Sequence, residues 1–118
     1  MSASAGSQDQ YVVITAARNE QEYIGRCLKT MQAQTVRPLK WFIVVNGSDD
    51  LTEVIVREQS KAHDWIELIV QETKGTRNWG AKVDAFMIGY QRAEAFDFAF
   101  VANLDADVSL DPHYFETL

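Results

Sequence analysis

Several features that define large classes of protein are missing from this sequence. It has one cysteine, Cys27, which cannot form an internal disulfide and therefore favours a reducing compartment. No apolar run approaches the ~20 residues that a membrane-spanning helix needs. The chain contains 2 prolines and 6 glycines, and it shows no internal repeat, low-complexity tract or linker.

Positive charge is scarce as well. The 11 lysines and arginines are outnumbered by 17 aspartates and glutamates, which leaves a net charge of −6 at pH 7. A non-specific nucleic-acid binder is normally basic, so we expect no nucleic acid as a partner. An acidic chain can still bind a phosphorylated small molecule when a divalent cation is supplied.

The composition is nevertheless that of a folded domain. Apolar residues make up 47% of the 118 positions, which is enough to bury a single core. Residues 1–10 are small and polar and lack the charged start and apolar stretch of a signal peptide. We therefore expect a flexible tail over residues 1–10 and one folded domain over residues 11–118.

Four segments have the pattern of buried parallel strands, which are apolar along their whole length. They span residues 11–16, 41–45, 66–70 and 98–104. Helical patterns lie between them, and this alternation predicts a three-layer α/β/α fold with a Rossmann-like, mostly parallel sheet. The expected strand order is 3-2-1-4, because the switch between strands one and four would open a ligand crevice.

Local signals predict where the helices begin. Asn19, with Glu22 three residues later, has the pattern of a capping box, and Ser48 or Asp49 can cap the second helix. The pair Asp111-Pro112 predicts the start of a fourth helix. The apolar positions expected to face the sheet are Leu51, Val54 and Ile55 on the second helix and Val83, Phe86, Met87 and Tyr90 on the third.

Each predicted strand is followed by polar residues. Residues 18–20 follow the first, Asn46 the second, residues 74–77 the third, and Asp105 and Asp107 the fourth. Because the carboxyl ends of parallel strands share one edge of a sheet, these residues should meet there. Carboxylates, amides and a few cations at one edge suit a phosphate ligand that is bound through a metal ion.

Three rival classes lack their signatures in this sequence. A Rossmann dehydrogenase needs G-x-G-x-x-G after the first strand, where this chain has Ala16-Ala17-Arg18-Asn19-Glu20. A sugar nucleotidyltransferase needs a glycine-rich, basic loop at the same place. A receiver-type signalling domain needs an acidic pair after the first strand, whereas the pair here follows the fourth, so this non-enzymatic alternative ranks low.

Four motifs together resemble those of the family 2 glycosyltransferases, which have the GT-A fold. Residues 13–24 and 28–35 are similar to the opening of that family. Residues 44–52 match its second-strand turn, which is usually written VDDGSxDxT. Residues 82–89 resemble its KxxALNxG helix, and residues 103–108 match its metal-binding Asp-x-Asp.

The resemblance implies that residues 11–118 are the nucleotide-sugar-binding half of a glycosyltransferase, with a UDP-sugar as donor and an unidentified acceptor. Asp107, supported by Asp105, would hold Mn²⁺ or Mg²⁺ on the diphosphate, where the ion neutralises charge on the leaving group. The residues expected to bind the donor are Ala17, Arg18, Asn19, Glu20, Asn46, Lys82, Asp105 and Asp107.

The expectation of UDP depends on a departure from the family pattern. The two aspartates of the usual turn are replaced here by Val45 and Asn46. An asparagine accepts through its oxygen and donates through its NH₂, which matches the adjacent N–H and C=O of uracil better than guanine's neighbouring N–H donors. The family's helix asparagine is Met87 here, so no polar role is carried to that position.

Family members also have a second half, which holds the acceptor site and an acidic catalytic base. No residue of this chain matches it, so we expect the base beyond Leu118 and no turnover by residues 1–118 alone. A homo-oligomer is expected through the apolar face that the second half would cover. A non-catalytic nucleotide-sugar-binding module is the alternative function. The expected location is cytoplasmic, with any membrane association arising from regions after Leu118.

Overall fold

The computed structural model describes residues 10–46, 50–71 and 79–115. Its strands all pair in parallel, in the order β3-β2-β1-β4. This order confirms the predicted sheet and its switch point between the first and fourth strands. The elements are β1 (Tyr11–Ala17), α1 (Ile24–Gln32), β2 (Lys40–Asn46), α2 (Thr52–Ala62), β3 (Ile66–Gln71), α3 (Trp79–Ala93) and β4 (Phe100–Asn103).

The two faces of the sheet bury separate apolar clusters, so the fold has three layers. Because successive side chains of a strand point to opposite faces, Tyr11 and Val13 enter one cluster, and Val12 and Ile14 enter the other. The first cluster includes buried residues of α1 and α2, and the second includes those of α3. β1 and β2 are buried along most of their length, as the predicted central strands should be.

The helix α3 approaches β1 closely at Gly89. A Cβ atom built on Gly89 would lie 2.7 Å from Cγ2 of Ile14, which is shorter than real contacts of this kind. Glycine is therefore the residue that fits this crossing without a shift of the helix. In α1, by contrast, a Cβ on Gly25 would meet nothing within 4 Å.

The start of α1 differs from the predicted capping box. The helix begins at Ile24 and has no side-chain cap, so the interpretation of Asn19 and Glu22 as a cap was wrong. Asn19 instead adopts the left-handed conformation with φ 54°, which asparagine tolerates better than most residues. The carbonyl of Glu20 accepts from the N–H of Tyr23 at 2.9 Å and of Ile24 at 2.8 Å, which begins the first turn.

The buried face of α2 is also not the predicted one. Thr52 and Val56 are buried, while Leu51 and Val54 are 58% and 54% exposed. Residues 54–56 are three consecutive apolar residues, and a helix cannot direct all of them to one side. Val56 enters the first cluster, and Ile55, which was predicted to face the sheet, is partly buried against it. The predicted caps Ser48 and Asp49 lie outside the described residues.

The third helix forms where it was expected, with a different set of buried residues. Ala85 and Ala93 are buried and Met87 is exposed, although Met87 was predicted to face the sheet. Phe86 and Tyr90 are partly buried against the second cluster. The buried positions of α3 hold small residues because the helix lies close to β1.

The fourth strand is shorter than the predicted span of residues 98–104. Regular pairing covers Phe100–Asn103, although Leu104 N–H still donates to the carbonyl of Ile14 at 3.0 Å. The predicted cap Asp111 accepts from the N–H of His113 at 2.8 Å, but turns rather than a helix follow as far as residue 114. Residues 116–118 lie outside the described part of the chain.

Over the residues that the structure describes, no helix has both the length and the apolar character needed to span a bilayer.

Candidate functional site

The carboxyl ends of three strands bring the predicted polar residues to one edge of the sheet. β1 lies between β2 and β4, and all three run in the same direction. Residues 18–20 after β1 therefore have Asn46 of β2 on one side and residues 105–107 on the other. This edge, at the switch between β1 and β4, is where open α/β sheets bind ligands.

Asp105 and Asp107 project outward while their neighbours point into the core. Leu104 and Ala106 are buried in the first cluster, and both aspartates are exposed. Both carboxylates are therefore open to solvent, and hence to a ligand. Carboxylate oxygens suit Mn²⁺ or Mg²⁺, but two of them fill only part of a six-coordinate shell. Among the described residues no group of three or more candidate metal ligands comes together.

A buried cysteine lies behind this pair. Cys27 in α1 is fully buried, and its S–H donates to the carbonyl of Asp105 across 3.9 Å. Burial, with a smaller contribution from the charge of Asp107, raises the pKa of Cys27 to about 12. The thiol is therefore neutral at physiological pH, and it acts as a packing residue and a weak donor rather than as a nucleophile.

The loop after β1 is fastened to the start of α2. Glu20 N–H donates to Thr52 Oγ1 at 2.8 Å, and Gln21 N–H donates to Asp50 Oδ2 at 3.2 Å. The side chain of Gln21 returns a bond, since its Oε1 accepts from Leu51 N–H at 3.0 Å. These bonds hold the loop that carries residues 18–20 in a fixed place relative to the end of β2.

Asp50 is the centre of this connection, and sequence reasoning missed it. Its Oδ1 accepts from the backbone N–H of Thr52 at 3.0 Å and from the Thr52 hydroxyl at 2.5 Å. Burial acts to raise the pKa of Asp50, but the bonds from Thr52 and Gln21 outweigh it, and the pKa lies below its usual value. The signal was present in the sequence as an Asp two residues before a Thr at a helix start.

Asn46 is buried at the last position of β2. In the register it lies opposite Gln71, the last residue of β3. Gln71 Oε1 is buried and has no hydrogen-bond partner within the described ranges. A buried oxygen of this kind is uncommon in a folded protein, so Gln71 joins the candidate site. One glutamine at a strand end carries no distinctive signal in the sequence.

The other residues that were predicted to bind the sugar donor differ in how far their side chains are exposed. The side chain of Ala17 is buried in the first cluster, and Ala17 pairs with Val45 of β2 at the end of β1. Arg18 and Glu20 are half-buried, and Asn19 is exposed. Lys82 falls within α3, but its side chain is not among the parts that the structure describes. Residues 74–77 lie outside the described residues.

Comparison with known proteins gives a family and several relatives. The model of the family described as Glycosyl transferase family 2 matches residues 12–118. The chain is 29% identical over 109 residues to the putative glycosyltransferase EpsH of Bacillus subtilis, covering 90% of this chain and 28% of EpsH. It is 33% identical over 107 residues to the glycosyltransferase AglE of Haloferax volcanii, covering 86% of this chain and 31% of AglE. The chain thus spans less than a third of either relative.

Solved structures share the same architecture. Residues 1–349 of the S. aureus protein TarS, in complex with UDP, superpose with a TM-score of 0.64 at 18% identity, covering 92% of this chain and 30% of that one. The mannosyltransferase PcManGT of Pyrobaculum calidifontis, in complex with GDP-Man and Mn²⁺, gives a TM-score of 0.61 at 21% identity, covering 85% of this chain and 28% of PcManGT. At these identities the likeness establishes a common fold of the GT-A type.

Proposed function

The chain belongs to glycosyl transferase family 2, and we propose that it forms the donor-binding part of an enzyme that uses a UDP-sugar. The observation that carries this proposal is the arrangement at one sheet edge of Asn46, the loop of residues 18–20 and the exposed pair Asp105 and Asp107. Because the chain spans 28% and 31% of its two relatives, we assign the acceptor site and the catalytic base to other parts of the full-length protein.

Each part of the edge has a role in this proposal. Asn46 recognises uracil through its amide, and residues 18–20 lie along the nucleotide. Lys82 approaches the phosphates, and Asp107 with Asp105 holds Mn²⁺ or Mg²⁺ against the diphosphate. The ion, when bound, neutralises the negative charge that develops on the departing UDP.

The relatives support this choice of ligand class. TarS has been crystallised with UDP and with UDP-GlcNAc, and PcManGT with GDP-Man and Mn²⁺. A nucleotide sugar and a divalent ion are therefore ligands that this fold accommodates. The preference for UDP over GDP comes from Asn46 and not from the relatives.

Calorimetric titration of the full-length protein with UDP, with and without Mn²⁺, tests the proposed site. We expect Mn²⁺ to raise the affinity for UDP by a factor in the roughly 5- to 150-fold range of coupled ligands, and UDP to raise the affinity for Mn²⁺ equally. Asp107→Ala should abolish the increase, and Asp105→Ala should reduce it less. Asp97→Ala is the matched control, because Asp97 is exposed at the amino end of β4.

Two outcomes would contradict the assignment. Equal affinity for UDP with and without Mn²⁺ in the unchanged protein would remove the two aspartates from the site. Tighter binding of GDP than of UDP would contradict the role given to Asn46.

Turnover is measured separately. The full-length protein should transfer sugar from a UDP-sugar, and residues 1–118 alone should not, because we assign the base that activates an acceptor hydroxyl to other parts of the protein. Sugar transfer by residues 1–118 would show that the base has been placed wrongly. Binding of UDP-sugar without transfer by the full-length protein would favour a non-catalytic binding module.

A further inference from the structure

A buried glutamine after α1 holds the segment that follows the two aspartates. Gln34 is 5% exposed and lies just beyond the end of α1. Its Nε2 donates to the carbonyl of Asp111 at 2.6 Å and to that of Thr30 at 3.3 Å. Its Oε1 accepts from the N–H of Phe115 at 3.3 Å. One side chain therefore joins the end of α1 to residues that are 77 and 81 positions away in the sequence.

Further contacts fasten the same segment, residues 104–115, at both ends. At its start, Leu104 N–H donates to the carbonyl of Ile14 at 3.0 Å. At its end, Thr35 N–H donates to the carbonyl of Pro112 at 2.9 Å, and the ring of Phe115 stacks on Tyr11 at 4.5 Å between centroids. Asp105 and Asp107 lie between these two attachments.

We propose that Gln34 is a positioning residue for the carboxylates of Asp105 and Asp107. Two exposed carboxylates that are two residues apart repel each other and favour a spread arrangement. Attachment at both ends of the segment limits this spread before a ligand binds. Such preorganisation lowers the free-energy cost of ordering the site on binding. The consequence for metal and nucleotide rests on the proposed function, whereas the fastening of residues 104–115 does not.

A second glutamine provides a matched control. Gln32 lies two residues earlier and is also partly buried, but its Nε2 donates to Oε1 of Gln59 in α2 at 2.7 Å. Its bond joins α1 to α2 and does not reach residues 104–115. Gln34→Met and Gln32→Met each keep the length of the side chain and remove its amide.

Hydrogen exchange on the full-length protein, without nucleotide or metal, tests the fastening. Gln34→Met removes the bonds that Gln34 makes to the Asp111 carbonyl and to the Phe115 N–H, and the Asp111 carbonyl keeps only its bond from Tyr114 N–H at 3.0 Å. We therefore expect protection over residues 104–115 to fall by about tenfold. Protection of β1 should be retained, and Gln32→Met should leave residues 104–115 unchanged. Unchanged exchange in Gln34→Met, or an equal loss of protection throughout β1, would overturn the proposal.

Calorimetry then distinguishes an effect of Gln34 on the two carboxylates from a general effect on the stability of the site. In Gln34→Met, most of the gain in UDP affinity that Mn²⁺ produces should be lost, with the affinity for UDP in the absence of metal unchanged. Equal losses with and without Mn²⁺ would overturn the positioning role. If the unchanged protein shows no gain with Mn²⁺, the proposed metal site fails, and the exchange measurement still decides whether Gln34 fastens the segment.

Discussion

Asp50 organises the candidate site without belonging to the predicted set of ligand residues. Its carboxylate accepts from the backbone and the hydroxyl of Thr52 and from the backbone of Gln21. Hydrogen bonds to a charged acceptor are stronger than neutral ones, and here they join loops that follow two different strands. Together with the bonds from Glu20 N–H to Thr52 and from Leu51 N–H to Gln21, this charge holds residues 18–20 relative to the end of β2.

Asp50→Asn tests that dependence through pH. Because the folded-state pKa of Asp50 is lowered, its stabilising contribution is present above the ordinary value of 3.8 and is lost as pH falls through the folded-state value. The substitution removes the charge, so we expect a lower Tm at pH 7 and a smaller fall in Tm between about pH 4 and pH 2. Thermal unfolding across that range measures both effects. Asp64→Asn, at an exposed turn, is the control. Superimposable Tm–pH curves for Asp50→Asn and the unchanged chain would contradict this account.

The locations of single residues were predicted best for residues that lie at the ends of predicted strands. The positions of Asp105, Asp107 and Asn46 at one edge follow from strand ends and parallel pairing. Asn19 was misread, because the capping-box pattern is local, whereas the loop is held by the long-range bond from Glu20 to Thr52. A local pattern carries no information about such a partner.

At the scale of the elements, contact between α3 and β1 sets the spacing of one face of the sheet. Gly89 allows the helix to lie against Ile14, and the neighbouring buried positions are also small. The sequence predicted the existence of α1, α2 and α3, but it predicted the buried faces of α2 and α3 only in part. An apolar run such as residues 54–56 is compatible with more than one buried face of the helix. Packing on the sheet decides which of these faces is buried.

A pair of glycine substitutions tests this contact. Gly89→Ala gains helix propensity but forces its Cβ to within 2.7 Å of Ile14, so we expect a net loss of stability. Overpacking of this kind costs about 1–3 kcal/mol. Gly25→Ala meets open space in α1 and should raise the free energy of unfolding by up to about 1 kcal/mol. Urea unfolding measures both. Stabilisation by Gly89→Ala as large as that by Gly25→Ala would show that the helix lies further from β1.

Over the whole molecule, the strand order was predicted from a switch between the first and fourth strands that opens a ligand crevice, and the observed sheet confirms that order. The length of β4 could not be predicted in the same way. The sequence shows an apolar run, but it does not show which part of that run pairs with β1. Within the described residues, β3 and β4 each pair on one side only. Both outer strands expose apolar side chains, with Val70 44% and Phe100 37% exposed.

Open strand edges with exposed apolar side chains favour pairing with a second copy. We therefore expect residues 1–118 to self-associate through β4, and Phe100→Lys to shift them toward monomer by placing a charge on that edge. Val54→Lys is the matched control, because Val54 is 54% exposed on α2, away from the sheet edge. Sedimentation velocity over a concentration series measures both variants. A chain that is monomeric throughout, or an equal shift in Val54→Lys, would show that the edge of β4 does not drive association.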